Sequence, residues 1–197
     1  MQKKIIDVSR HQEKIDWSKV KGNVDGVIIR CGFGADISKN DDSQFKSNVE
    51  GCIKNGIPFG IYLYSYAKSM EAAISEANHV LRLVGPYKDM IAYPIYYDLE
   101  ENGTQEGAVE RAKAFGDIIE AAGYWCGIYA NQSWWKEYLG NKLDRFTKWV
   151  ARYSSKPPEI GSSYDMWQFT DKGSVPGIKG PVDMSYCYRD FEKIIRK

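Results

Sequence analysis

The sequence predicts an α/β protein in which eight short strands close into an abbreviated barrel. Three observations support this fold class. Strand-like and helix-like segments alternate through much of the chain, the strand-like segments number eight, and the late connections are short and rich in Gly, Pro and Ser. A regular barrel of eight strand–helix units typically needs ~250 residues, and this chain has 197. We therefore expect full strand–helix units in the first half and bare strands in the last third.

The predicted strands are short runs rich in β-branched and aromatic residues. They cover residues 3–8, 26–31, 59–64, 93–99, 124–129, 147–151, 164–169 and 182–187. The competing architecture is an open doubly wound sheet, which normally carries a Gly-rich phosphate-binding turn after its first strand. Here that turn reads D-V-S-R-H-Q, without glycine. The barrel is therefore the favoured interpretation.

Three helices are predicted between the early strands, because apolar residues recur there at helical spacing. They cover residues 42–55, 69–84 and 105–122. Ser69 is a typical N-cap for the second helix. Gly56 and Gly123 follow the first and third helices as C-caps.

Length and composition favour a single domain spanning residues 1–197, with 43% hydrophobic residues to fill one core. Lys and Arg total 27 against 26 Asp and Glu, so no large net charge favours nucleic acid or an anionic membrane as a partner. No stretch approaches the ~20 apolar residues of a membrane span. The oligomeric state stays open. Aromatic residues make up 14% of the chain, which suits either a core or a carbohydrate-stacking groove.

The most informative segment is Y-P-I-Y-Y-D-L-E at residues 93–100, an apolar and aromatic run that ends in two acids. In a strand, Asp98 and Glu100 project to one side with Cα atoms roughly 6.6 Å apart, while Leu99 points the other way. Repulsion in a partly desolvated site raises one pKa and leaves the other group ionised, the arrangement that glycoside hydrolysis uses. The alternative is a solvated strand end with two surface acids.

Other polar and aromatic residues lie at predicted strand ends, where parallel barrels gather their reactive groups. They are Asp7 on the first strand, Tyr62 and Tyr64 on the third, Tyr129 and Asn131 on the fifth, Trp167 and Gln168 on the seventh, and Asp183 on the eighth. Each residue alone has a structural explanation, and Trp167 is more often a core residue than a sugar platform. Four acids at strand ends of one small barrel nevertheless indicate an active site.

Histidine and cysteine usage indicates neither a metal site nor a cofactor. His11 and His79 are the only histidines and are far apart in the pattern, and His79 is expected on the surface of the second helix. No HExxH or CxxC motif is present. We expect four buried free thiols, at Cys31, Cys52, Cys126 and Cys187.

Motifs along nearly the whole chain resemble those of the glycoside hydrolase family 25 lysozymes, which are N-acetylmuramidases. They are I-D-V-S-R-H-Q (6–12), D-G-V-I-I-R (25–30), G-I-P-F-G-I-Y-L-Y (56–64), Y-P-I-Y-Y-D-L-E (93–100), G-I-Y-A-N (127–131), W-V-A-R-Y (149–153), W-Q-F-T (167–170) and P-V-D-M-S-Y (181–186). The resemblance implies a flattened TIM-like barrel of five β/α units followed by three strands. It also implies cleavage of the β-1,4 bond from N-acetylmuramic acid to N-acetylglucosamine in peptidoglycan glycan strands.

The resemblance also implies roles for the acids. Glu100 resembles the general acid, Asp98 its partner, and Asp7 and Asp183 the other acids of the pocket. Ser185 stands where the family often has Asn. Two mechanisms stay open: Asp98 orients the substrate's own 2-acetamido group, which we favour, or Asp7 or Asp183 activates a water and gives inversion. Sugar contacts are expected from Tyr62, Tyr64, Tyr129, Trp167 and Gln168.

Two other functions compete with this interpretation: a non-catalytic glycan-binding barrel, and a chitinase-like hydrolase, whose usual D-x-x-D-x-D-x-E run is absent. The N-terminal M-Q-K-K-I-I-D has no apolar signal region. We expect synthesis in the cytoplasm without a signal peptide and action on the cell wall, as for a phage endolysin released through holin pores or a truncated bacterial autolysin. No wall-binding repeat follows Phe191, so such a module is expected to lie outside this chain.

Overall fold

The computed structural model describes residues 2–195, which form a closed eight-stranded barrel with its strands in chain order. The strands are β1 (Lys3–Val8), β2 (Gly26–Phe33), β3 (Phe59–Tyr64), β4 (Ile91–Asp98), β5 (Cys126–Asn131), β6 (Thr147–Ala151), β7 (Met166–Gly173) and β8 (Val182–Cys187). Neighbouring strands from β1 to β7 are parallel, whereas β8 runs antiparallel to both β7 and β1. The predicted fold class is confirmed.

The helices lie mainly after the first five strands. They are α1 (Trp17–Val20), α2 (Phe45–Asn55), α3 (Met70–Val84), α4 (Ala108–Ala121), α5 (Gln132–Trp134), which continues as a π-helical turn at Trp135–Leu139, and α6 (Phe191–Ile195), with 3₁₀ turns at Arg10–Gln12, Ser38–Asn40 and Gly85–Met90. The short α1 and α5 were not predicted, because three or four residues show no periodicity. Within residues 2–195, no helix is long and apolar enough to cross a membrane.

Helix ends follow the local signals in the sequence. The Ser69 hydroxyl caps α3 by accepting a hydrogen bond from the Ala72 N–H at 3.2 Å. Gly56 ends α2 in the left-handed conformation, with φ of +66°. The start of α4 is later than predicted because Gly107 is also left-handed, with φ of +69°, so the helix begins at Ala108.

Strand alternation divides the core into two layers. Ile61, Leu63 and Leu99 belong to an outer layer between the sheet and the helices. Tyr96 and Trp149 belong to an inner layer that fills the barrel. The inner face is therefore aromatic, and it carries the polar residues at one end. All four cysteines are buried and free.

The prediction for His79 was wrong, because this residue is fully buried on α3. Its Nδ1 lies 2.9 Å from the Gly34 carbonyl oxygen and its Nε2 lies 2.9 Å from Asp41 Oδ1. The neighbouring buried residues Glu76 and Val80 show that His79 falls within the stripe that α3 buries. Both ring nitrogens have partners there, which compensates for the burial of a polar side chain.

Candidate active site

A cleft of about 270 Å³ opens at the end of the barrel where the parallel strands finish. All eight strands contribute to its wall. The lining residues are Asp7, His11, Arg30, Tyr62, Tyr64, Asp98, Glu100, Tyr129, Trp149, Tyr153, Gln168 and Asp183. This is the end at which barrel enzymes assemble their reactive groups.

The four predicted acids all reach this cleft. Asp98 is the last residue of β4, Glu100 follows two residues later, and Leu99 between them turns into the outer core. Asp7 and Asp183 lie directly opposite each other across the antiparallel pair of β1 and β8. Two pairs of acids therefore face one another within a single small space.

The protein environment raises the proton affinity of this cluster. Burial, reinforced by the charges of Asp183 and Glu101, raises the pKa of Glu100. Burial also raises the pKa of Asp98 well above its usual value, with Glu100 and Asp7 adding to the effect and Arg30 opposing it. Carboxylates packed this closely cannot all be ionised together, so the cleft retains protons at a pH where isolated acids would lose them.

The other pair of acids is affected in the same direction. Burial and the charge of Asp183 raise the pKa of Asp7 well above its usual value, although a hydrogen bond from Gln168 opposes this effect. Burial, with a contribution from Asp171, raises the pKa of Asp183 to about 6.

The Gln168 side chain joins Asp7 to the aromatic wall. Its Nε2 donates to Asp7 Oδ2 at 2.9 Å, and its Oε1 accepts from the hydroxyls of Tyr129 at 2.8 Å and Tyr153 at 3.1 Å. Asp98 differs, because its Oδ1 is buried without a hydrogen-bond partner among residues 2–195. Burying an oxygen without a hydrogen bond costs free energy, so a hydrogen-bond donor on a ligand would bind favourably at this atom.

The predicted sugar-contact residues divide into two groups. Tyr62, Tyr64, Tyr129 and Gln168 line the cleft, but Trp167 is not among the lining residues. Because side chains alternate along β7, Gln168 points inward and Trp167 points outward. The Trp167 Nε1 donates to the Arg152 carbonyl at 2.8 Å, and its ring packs on Phe169 and Tyr186.

Four cleft residues were not predicted: His11, Arg30, Trp149 and Tyr153. Arg30 is the informative one, because its buried Nε donates to Asp42 Oδ2 at 2.7 Å while its NH2 group has no partner within the described chain. The sequence did contain a signal for it. Ile29 on β2 belongs to the outer core, and alternation then directs Arg30 inward.

A larger hollow of about 800 Å³ lies near α1 and α2 and is lined by Lys14, Lys19, Lys54 and Lys179. Its one acid is Asp16, which pairs with Lys19 at 3.0 Å. Because that hollow lacks a pair of acids, the smaller cleft is the candidate active site. Among residues 2–195, no group of three or more His, Cys, Asp or Glu side chains is arranged to hold a metal ion.

Comparison with known proteins agrees with this geometry. The family model described as Glycosyl hydrolases family 25 matches residues 6–178. The protein YegX of Escherichia coli (strain K12) is 30% identical over 188 residues, covering 91% of this chain and 67% of that protein.

Two solved structures are similar over nearly all of this chain. The autolysin LytC from Streptococcus pneumoniae, in complex with a synthetic peptidoglycan ligand, has a TM-score of 0.82 and 31% identity over 95% of this chain. This chain covers 47% of that autolysin, about half its length. The catalytic domain of endolysin ply40, from bacteriophage P40 of Listeria monocytogenes, has a TM-score of 0.82 and 31% identity, with coverage of 100% and 98%. The chain therefore belongs to glycosyl hydrolases family 25.

Proposed function

We propose that this chain is an N-acetylmuramidase that cleaves the β-1,4 bond between N-acetylmuramic acid and N-acetylglucosamine in peptidoglycan. The observation that carries the proposal is the placement of Asp98 and Glu100 in one cleft with raised pKa values. Family membership supports it, as does the peptidoglycan ligand in the complex of the similar autolysin. The site of action that follows is the bacterial cell wall.

Glu100 acts as the general acid. It protonates the glycosidic oxygen as the bond to the anomeric carbon breaks, which requires a carboxyl group that is still protonated near the working pH. Burial and the neighbouring acids supply that condition. In the free cleft, burial raises the pKa of Asp98 more strongly than that of Glu100 even though Arg30 opposes the effect, so the proton donor role of Glu100 requires a substrate donor that favours ionised Asp98.

Asp98 acts on the substrate's 2-acetamido group. Its unpartnered Oδ1 accepts the acetamido N–H, which directs the acetamido carbonyl oxygen at the anomeric carbon. That oxygen forms the new bond as the leaving sugar departs with the proton from Glu100. The N–H donor and Arg30 together favour the ionised form of Asp98 once substrate is bound. Water, deprotonated by Glu100, then opens the oxazoline intermediate with overall retention.

Asp7 and Asp183 shape the other side of the cleft. Asp7 is engaged by Gln168, which fixes its orientation. The alternative, in which Asp7 or Asp183 activates a water directly, predicts inversion and a carboxyl separation of ~6.5–9.5 Å from the acid. NMR observation of the first anomer released distinguishes the two routes, because retention gives the β anomer and inversion gives the α anomer.

The test of the reaction uses Glu100→Gln on purified peptidoglycan. The amide keeps the shape of the acid but has no proton to donate, so we expect at least a ~100-fold loss of lysis. Glu110→Gln is the matched control, since Glu110 is exposed on α4. Lysis by Glu100→Gln within a few-fold of wild type would remove Glu100 from this role.

The bond itself is identified by borohydride reduction of the products followed by mass spectrometry. Muramitol at the new ends supports the proposal. Reduced N-acetylglucosamine ends would mean that the other glycosidic bond is cleaved. Binding to glycan strands without any new reducing end would instead favour the non-catalytic barrel.

A further inference from the structure

Beside the cleft lies a partly exposed row of rings, here called the aromatic shelf and defined as Phe33 and Tyr66 with the Arg10 guanidinium. Tyr64, in the cleft wall, has its ring centroid 5.1 Å from that of Tyr66, and Tyr66 is 6.1 Å from Phe33. The Arg10 guanidinium carbon lies 5.5 Å from the Phe33 ring centroid. The shelf is therefore continuous with the cleft through Tyr64.

A β-bulge in β2 turns Phe33 toward this side. The register with β3 shifts between Arg30 and Gly32, so that Phe33 pairs with Tyr64. Gly32 faces the helices, because a Cβ there would lie 2.6 Å from the Asn40 carbonyl oxygen and 2.7 Å from the His79 ring. Without the bulge, alternation would place Phe33 in the outer layer with Cys31. Bulges of this kind re-aim side chains beside active sites.

Two buried polar residues on α3 hold the loops that carry the shelf. Glu76 Oε1 accepts the Tyr66 backbone N–H at 2.8 Å, and its Oε2 accepts the Ser65 hydroxyl at 2.8 Å. His79 contacts the Gly34 carbonyl, one residue after Phe33. Burying a carboxyl group is costly, and here three hydrogen bonds including one from Tyr97 offset that cost. These contacts fix the loops, while the Tyr66 and Phe33 rings that the loops carry stay partly exposed to solvent.

The surface chemistry matches a carbohydrate. Tyr66 is 49% exposed although its ring lies against two other aromatic rings. Flat rings that present an apolar face and a polar edge suit a sugar ring, which is apolar on its C–H face and polar at its hydroxyls. No acid among residues 2–195 forms an ion pair with the Arg10 guanidinium, which leaves its donors open to sugar oxygens.

We propose that the aromatic shelf is a further saccharide subsite, which binds the glycan strand one to two sugar units away from the bond being cleaved. This inference rests on the proposed function for its choice of ligand. The sugar in the cleft meets Tyr64, and the strand then continues over Tyr66 toward Phe33. The shelf favours long strands over short oligosaccharides, because only a long strand reaches it.

The test compares Tyr66→Ala and Phe33→Ala with wild type on glycan strands with and without peptide stems and on oligosaccharides of increasing length. Binding is measured calorimetrically in the Glu100→Gln background, so it does not depend on cleavage. We expect a loss of affinity for long strands of about five- to tenfold in each variant, the size of one aromatic contact. The shortest ligands should bind equally to all variants. Tyr66→Phe should retain wild-type affinity.

Tyr188→Ala is the matched control, because Tyr188 is 44% exposed and also contacts one other ring, that of Tyr164. Equal losses for all ligand lengths, or no loss in either shelf variant, would overturn the subsite. A loss seen only on peptide-bearing strands would identify the peptide stem as the occupant instead and would also overturn it. Failure of the proposed function looks different, since wild type would then produce no new reducing ends.

Discussion

Asp183→Asn is expected to stabilise the fold at neutral pH, because burial, with a contribution from the charge of Asp171, disfavours the ionised form of Asp183. The pKa of Asp183 is about 6 in the folded protein, against an ordinary value of 3.8. The folded state therefore binds more protons than the unfolded state between these values. The free energy of unfolding falls as pH rises through this window, and the full cost is present above pH 6.

The size of the effect follows from the same values. A pKa difference of about 2 corresponds to ~3 kcal/mol at ~1.4 kcal/mol per pH unit. Because solvent reaches the half-buried Asp183, we reduce this figure to ~1–2 kcal/mol. A chain of this size gains ~2–4 °C in melting temperature per kcal/mol. We therefore expect a rise of ~2–8 °C at pH 7.5.

The assay is thermal and urea unfolding of Asp183→Asn at pH 7.5 and pH 4. Asp183 is mostly protonated in the folded state at pH 4, so most of the gain should disappear there. Asp89→Asn, at an exposed acid in the 3₁₀ turn that follows α3, is the control and should change little at either pH. An equal gain at both pH values, or no gain at pH 7.5, would refute the reasoning.

Two further predictions concern buried groups. Arg30→Met leaves Asp42 buried without its cation and should lower the free energy of unfolding, measured in urea, by ~3–5 kcal/mol. The double variant Arg30→Met/Asp42→Asn should recover part of this stability. A decrease below ~1 kcal/mol would mean that solvent reaches Asp42. Burial raises the pKa values of the thiols of Cys31, Cys52 and Cys126, so Ellman's reagent should react slowly with the native protein. After denaturation without reductant, the same reagent should titrate four free thiols. Two missing thiols would contradict the absence of a disulfide.

Strand parity explains how much of the site was predictable. The two-residue spacing of Asp98 and Glu100 places them together in any strand, and aliphatic Ile61 and Leu63 identify the opposite face of β3. The same rule, applied to β7, separates Trp167 from Gln168 without any tertiary information. These placements needed only local alternation.

Other features depend on contacts that the sequence pattern does not show. The bulge at Gly32 inverts parity within β2, so Phe33 cannot be placed by alternation. The burial of His79 depends on the Gly34 and Asp41 partners, which come from a loop 38 residues or more away along the chain. Sequence pattern alone predicts that a polar residue on a helix is exposed, because the partners that allow its burial are set by tertiary packing.

The antiparallel direction of β8 allows a chain of this length to complete the cleft. Asp183 is the second residue of its strand, so in a parallel β8 it would lie at the end of the barrel away from the cleft. Because β8 is antiparallel, its first residues lie at the cleft end, and Asp183 comes to rest opposite Asp7. A tight connection can join antiparallel strands, whereas a parallel pair needs a crossover of a dozen or more residues. The β7–β8 hairpin thus closes the barrel without a helix and still supplies Gln168 and Asp183 to the cleft.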